Sequence, residues 1–78
     1  MIAKKPLNDN NSILKIVDLY NKGDFANVIQ ESQKLLNANS RNPVIWNILG
    51  AAYFGKTEHK QAIKAYKQAI KFNANYAE

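Results

Sequence analysis

An internal repeat of 34 residues constrains the fold of this chain more than any other feature of its sequence. A shift of 34 residues places Lys22 on Lys56 and Ile29 on Ile63. The other matched pairs are Leu14 with Ile48, Leu19 with Tyr53, Tyr20 with Phe54, Asp24 with Glu58, Phe25 with His59, Val28 with Ala62, Leu35 with Ala69, Leu36 with Ile70, and Asn39 with Asn73. The spacing of apolar residues repeats more than their identity does. A period of this length indicates one supersecondary unit that occurs twice and stacks on itself.

The apolar spacing within each half predicts helices. Apolar residues recur three and four positions apart, as on one face of a helix, and no segment shows the period-two alternation of a strand. Four stripes follow this rule: Ile13, Ile16, Val17 and Tyr20; Val28, Ile29, Ser32, Leu35 and Leu36; Ile45, Trp46, Leu49, Ala52 and Tyr53; Ala62, Ile63, Tyr66, Ala69 and Ile70. The chain is therefore predicted to be all-α, with four helices of about three turns each.

Two boundaries between these helices carry strong local signals. Asn42 is a capping residue type, and it precedes Pro43, which suits the first turn of a helix because no amide proton is needed there. Gly23 can adopt a positive φ, and Asp24 can cap the helix that follows it. We therefore predict a helix start at each of these two places.

The other boundaries carry weaker signals. Thr57 occupies the position equivalent to Gly23, so the second turn is predicted to be less favourable than the first. Asparagine tolerates the left-handed conformation better than most residues, and the asparagine-rich stretches at 37–41 and 73–75 are predicted to end helices. The last helix is accordingly predicted to span residues 59–72.

The composition argues against several classes of function. The chain of 78 residues suits one small domain, and it contains no cysteine, which excludes disulfides and thiolate metal sites. The one histidine, His59, cannot build a metal centre alone, and no Ser/His/Asp set can be assembled around it. No apolar run approaches the roughly 18 residues of a membrane span. We expect a cytoplasmic protein with no membrane span, no cofactor and no catalytic activity.

Residues 43–76 resemble the tetratricopeptide repeat. The signature positions of that family are held by Trp46, Leu49, Gly50, Tyr53, Ala62, Tyr66 and Ala69. The resemblance implies that the tryptophan and tyrosine rings pack between neighbouring helices and that the glycine lets the two helices of a repeat approach each other. Thr57 and Ala74 depart from the family pattern, which has glycine and proline there. Residues 9–42 match more loosely, with Ser12, Lys15 and Ile16 at the positions of the tryptophan, leucine and glycine.

This resemblance implies an all-α fold, a right-handed superhelical α-solenoid of two helix-turn-helix repeats. Residues 9–42 are expected to form a divergent first repeat and residues 43–76 the second. Residues 1–8 are expected to be a disordered tail, and residues 77–78 to begin a further repeat.

The family's usual function implies a non-catalytic scaffold that binds a peptide or helix of another protein in a concave groove. By the family's spacing, the groove is lined by Asn10, Ile13, Val17, Tyr20, Asn21, Val44, Asn47, Ala51 and Phe54. Alternatively, Ile13 and Val17 belong to the core of the divergent repeat. One family subtype binds the acidic tails of chaperones through a lysine and asparagines, but Ile13, Val17 and Ile48 hold those positions here. A chaperone-binding role is therefore not expected.

Three further interpretations stay open. The chain could be a repeat segment of a larger enzyme, such as a glycosyltransferase or sulfotransferase. It could also form a homo-oligomer that covers the last helix at Ala62, Tyr66, Ala69 and Phe72. The third interpretation is a basic module that docks on an anionic surface.

A lysine stripe supports the basic module. The net charge is +5, and Lys60, Lys64, Lys67 and Lys71 recur along one face of the last predicted helix. The stripe is either a solvated outer face or a dock for an acidic protein, a nucleic acid or an anionic membrane surface. Nucleic acid is the least favoured partner, because no aromatic stacking platform lies beside the stripe. His59, which matches Phe25, is predicted to have a packing role.

Overall fold

The chain folds into four α-helices, and the part that the structure describes contains no strand. The structure is a computed structural model that describes the backbone of residues 9–77 and the side chains of residues 11–73. The helices are α1 (Asp9–Asn21), α2 (Phe25–Ala38), α3 (Pro43–Gly55) and α4 (His59–Ala77). The predictions of an all-α chain and of four helices are confirmed. The tail predicted at residues 1–8 and residue 78 lie outside the described residues.

Both strongly marked helix starts form as predicted. The carboxylate of Asp24 accepts hydrogen bonds from the backbone N–H of Asn27 at 3.4 Å and from its side-chain amide at 2.8 Å. The side chain of Asn42 accepts from the backbone N–H of Val44 at 2.9 Å, and Pro43 is the first residue of α3. These bonds satisfy backbone donors that a helix N-terminus otherwise leaves unpaired.

The turns after α1 and α3 share one hydrogen-bond pattern in the 34-residue register. The equivalent bonds are Gly23 N to Tyr20 O and Thr57 N to Phe54 O, both 2.9 Å, and Asp24 N to Leu19 O and Glu58 N to Tyr53 O, both 2.9 Å. This pair of bonds is the Schellman motif, whose turn residue takes a positive φ. Gly23 has φ +79° and Thr57 has φ +61°. The second turn therefore holds a β-branched residue in a conformation that favours glycine, as the sequence predicted.

The helix α3 is central to the packing. It contacts α1, α2 and α4, whereas within the described residues the backbone of α4 comes close only to that of α3. The main core cluster consists of Leu36, Ile45, Leu49 and Ala65, with Ile13, Ile29, Leu35, Trp46 and Tyr53 packed around it. All four predicted stripes contribute buried side chains, so the helical periodicity found in the sequence identifies the core-facing sides.

Two aromatic residues of α3 fix it against the first repeat. The indole N–H of Trp46 donates to the carbonyl oxygen of Ser40 at 2.7 Å. The phenol oxygen of Tyr53 accepts from the side-chain amide of Gln33 on α2 at 3.1 Å. Both rings are half-buried and pack against the core cluster. The polar atom of each ring forms a hydrogen bond with a residue of the first repeat.

The close contact between Gly50 and Tyr66 accounts for a difference in side-chain size between the two repeats. Gly50 is buried, and a Cβ atom there would lie 2.8 Å from the Tyr66 ring, so the ring packs directly on the backbone of α3. In the first repeat the sizes are exchanged, because Ile16 stands at the glycine position and Ser32 at the tyrosine position. Both are almost fully buried, at 1% and 0% exposure. The summed side-chain volume of the two positions is therefore about the same in both repeats.

One predicted helix end and one predicted cap conformation require correction. The helix α4 continues to Ala77, so the predicted end at residues 73–75 and the predicted span 59–72 are wrong. Residues 73–75 contain asparagine and alanine but no proline, and neither of these two residue types is enough to stop a helix. The helix α2 ends at Ala38, within the predicted stretch, but its C-cap Asn39 is not left-handed, with φ −145° and ψ 77°. Its N–H donates to the carbonyl oxygen of Leu35 at 2.9 Å.

The Thr57→Gly variant should be more stable than the native chain by about 1 kcal/mol, because a left-handed conformation costs a residue with a Cβ atom about that much. Urea denaturation followed by circular dichroism measures the difference. Thr57→Ala is the matched control, since it removes the branch but keeps the Cβ atom. An equal gain in both variants would contradict the explanation.

The Gly50→Ala variant should lose about 1–3 kcal/mol of stability, because the new methyl group overlaps the Tyr66 ring. The double variant Gly50→Ile with Tyr66→Ser reproduces the pair found in the first repeat. Its loss should be smaller than the sum of the two single losses by about 1 kcal/mol or more, measured in a double-mutant cycle. Additive losses would refute the volume exchange.

Candidate interaction surfaces

The structure brings four residues of the predicted groove together between α1 and α3. Val17, Tyr20, Asn47 and Ala51 line a small cavity of about 140 Å³, together with Ile48. We call this surface the α1–α3 cavity. Burial raises the pKa of the Tyr66 phenol, and electrostatic repulsion from Tyr20 raises it further.

The other predicted groove residues lie elsewhere. Ile13 packs against the core cluster, which matches the alternative assignment made for it, and Asn21 is exposed at the end of α1. Val44 lies in a separate recess between α3 and α4. Phe54 is exposed at the end of α3, and the side chain of Asn10 lies outside the described residues.

The recess between α3 and α4 is the second surface, which we call the open face. It encloses about 460 Å³ and is lined by Pro43, Val44, Asn47, Tyr66, Ala69, Ile70 and Asn73. Ile70 is 69% exposed, whereas the equivalent Leu36 of the first repeat is only 8% exposed, because α3 covers it. Ile63, the equivalent of Ile29, is 53% exposed. The predicted fourth stripe is therefore buried at Ala62 and Ala69 but not at these two isoleucines.

A third concave surface lies between α2 and α4 and is also lined by α3. This α2–α4 groove encloses about 700 Å³. Its lining consists of Leu36, Trp46, Leu49, Tyr53 and Ala65, with Gln33, Asn37, Gln61, Lys64, Lys67 and Gln68. The sequence interpretation did not identify this groove. The only signal for it was that one lysine stripe and one aromatic stripe fall on helices that are neighbours in the chain.

The lysine stripe divides into two inner and two outer members. All four lysines are exposed, but only Lys64 and Lys67 line the α2–α4 groove. Lys60 lies beside the turn before α4, and the Lys71 ammonium lies 5.5 Å from the centre of the Phe72 ring. Within the described residues the ion pairs join Lys22 with Asp18 and Lys34 with Glu31, so none involves the stripe.

His59 occupies a packing position. Its ring lies 5.0 Å from the Phe54 ring, and the equivalent rings of Tyr20 and Phe25 lie 5.3 Å apart. The two tilted pairs stand 34 residues apart, so His59 repeats the contact that Phe25 makes in the first repeat. In the described part of the chain, no group of three potential metal-ligating side chains comes together.

The chain was compared with protein-family models, with curated proteins and with solved structures, and none of them matches it. No helix among residues 9–77 has both the length and the apolar character needed to cross a bilayer.

Proposed function

We propose that this chain is a tetratricopeptide-type scaffold that binds a segment of another protein and catalyses no reaction. In this proposal the two repeats form part of a right-handed superhelical solenoid, with α1 and α3 on its concave side. The observation that supports it best is the recurrence of the same turn hydrogen bonds in a 34-residue register. That period and the helix-turn-helix unit are typical of this family.

The proposed binding surface is the α1–α3 cavity, which Tyr20 lines, together with the exposed ring of Phe54 near the end of α3. The cavity of about 140 Å³ has room for one anchoring side chain and not for a whole ligand. Tyr20 lines it, and Phe54 is 59% exposed at the end of α3. An apolar cavity and exposed aromatic rings suit an apolar helix or extended peptide, because a few aromatic anchors carry most of the affinity of such interfaces.

The double variant Tyr20→Ala with Phe54→Ala should lose the protein partners that the native chain captures, because it removes both aromatic anchors. Quantitative affinity purification with native and variant baits measures this, after circular dichroism has shown that the helices persist. Leu14→Ala is the matched control, since Leu14 is an exposed apolar residue of α1 that lies outside the cavity. If the double variant kept every partner, the assignment of this surface would be wrong.

Self-association through the open face is the second candidate function. Ile63 and Ile70 are exposed. Of their equivalents in the first repeat, Leu36 belongs to the core cluster and Ile29 packs against it. Ile70 lines this recess, and Ile63 lies outside it, two turns earlier on α4. A second copy of the chain that packs an apolar helix along α4 over both isoleucines would remove the same kind of surface from water. Each isoleucine buried in this way contributes about 1.5–3 kcal/mol.

Light scattering behind a sizing column should therefore show a native oligomer that dissociates on dilution. Replacing both isoleucines, Ile63→Lys with Ile70→Lys, should leave a folded monomer at every concentration, because charged side chains cannot enter the interface unpaired. Leu14→Lys is the control and should still associate. A native chain that stays monomeric at high concentration would exclude this candidate.

A further inference from the structure

We propose that the α2–α4 groove is a second, separate binding site for an acidic segment of another protein, whose carboxylates flank one or two large apolar side chains. The groove lies on the other side of α3 from the α1–α3 cavity. Trp46, Leu49 and Tyr53 face the groove, whereas Asn47, Ile48 and Ala51 face the cavity. At about 100° per residue these two sets point in opposite directions from the axis of α3.

The floor of the groove provides apolar surface for an anchor. Leu36, Leu49 and Ala65 belong to the core cluster and also line the groove. The Trp46 indole N–H is already bonded to Ser40, and the Tyr53 hydroxyl is already bonded to Gln33. These hydrogen bonds hold both rings in place before any ligand arrives, so less conformational entropy is lost on binding. A volume of about 700 Å³ falls within the range of peptide and small-ligand sites.

The walls of the groove select the charge of the ligand. Lys64 and Lys67 line it, and among the side chains of residues 11–73 no carboxylate does so. The acidic residue Glu31 of α2 is paired with Lys34 at 3.4 Å, and neither lines the groove. The two groove lysines form no ion pair within the described residues, so a carboxylate of the ligand meets no competing acid. Complementary charge of this kind favours acidic segments and disfavours basic ones.

The shape of the groove favours a protein segment over a polyanion. A membrane surface or a nucleic-acid duplex would contact the exposed lysines but could not place an apolar group on a recessed floor. The walls also carry the amides of Gln33, Asn37, Gln61 and Gln68. Side-chain amides donate and accept hydrogen bonds, which suits the backbone of a peptide. A peptide therefore uses both the floor and the walls of the groove, whereas a polyanion uses only the lysines.

Trp46 allows a direct test, because it is the only tryptophan of the chain and lines the groove. The probe is a short, tryptophan-free synthetic peptide that alternates glutamate with leucine and phenylalanine. We expect saturable changes in Trp46 fluorescence on titration. Two control peptides carry lysine in place of glutamate or glutamine in place of the apolar residues. The affinity of each should be lower by at least about tenfold.

Two charge-reversed double variants locate the site on α4. Lys64→Glu with Lys67→Glu should weaken binding of the acidic peptide by about tenfold or more. Lys60→Glu with Lys71→Glu makes the same change in net charge on the same helix but outside the groove, and its effect should stay within about threefold. Circular dichroism should show both variants folded, since all four lysines are exposed. The Tyr20→Ala, Phe54→Ala variant should bind the acidic peptide normally, which separates this site from the α1–α3 cavity.

Several results would overturn the proposal. Equal weakening by the two lysine variants would mean that the peptide responds only to the overall positive field of α4. Equal binding of the lysine-containing peptide would exclude charge selection. Tighter binding of heparin or duplex RNA than of the acidic peptide at the same salt concentration, with both lysine variants equally impaired, would assign the stripe to a polyanion instead.

Discussion

The structure depends on the burial of α3 by helices on three of its sides. This helix carries no charged residue, and Pro43, Ile45, Leu49, Gly50 and Ala52 are all buried in it. A helix that is apolar around most of its circumference is stable in water only when other helices cover it. The helices α1 and α2 cover one part of α3, and α4 covers another. The first repeat is thus the means by which the most apolar segment of the second repeat is removed from water.

Glycine permits this close packing at two places on α3. A Cβ atom at Gly50 would overlap the Tyr66 ring of α4, and one at Gly55 would lie 2.6 Å from the Phe25 ring of α2. One contact lies within the second repeat, and the other joins the repeats. Because each ring packs directly on the α3 backbone, both glycines act through the absence of a side chain. Neither contact requires a positive φ, in contrast to Gly23.

Local signals explain which parts of the fold the sequence could predict. The caps at Asp24 and Asn42 and the strained turn at Thr57 depend on residues within one or two turns of the boundary, and all three were identified in advance. The end of α4 could not be found in this way, because no residue near Ala74 opposes a helix strongly. The pair Ile16 and Ser32 exchanges the sizes of the pair Gly50 and Tyr66. Predicting this exchange requires knowing which positions of the two repeats are equivalent, and a single sequence gives that equivalence only through the repeat register.

The candidate surfaces were less predictable because they depend on how helices are spaced. Helical periodicity places Lys60, Lys64, Lys67 and Lys71 on one face, but it cannot say that only the inner two line a groove. That difference arises because α2 and α4 flank the same side of α3 although they are far apart in the chain. Likewise, the periodicity assigns Ile29 and Ile63 to equivalent stripes, whereas their exposure depends on whether a further helix covers them.

The distribution of charge gives the two sides of α3 different chemistry. The α1–α3 cavity is lined by apolar residues, one amide and one phenol, and no lysine whose side chain the structure describes is among them. The α2–α4 groove has a comparable apolar floor, but lysines and amides form its walls. Because apolar surface contributes affinity with little selectivity, the polar residues at the edge would decide which ligand each proposed site accepts. A ligand that must leave its carboxylates unpaired in the cavity can pair them in the groove, so a single helix can present two surfaces that do not compete for the same partner.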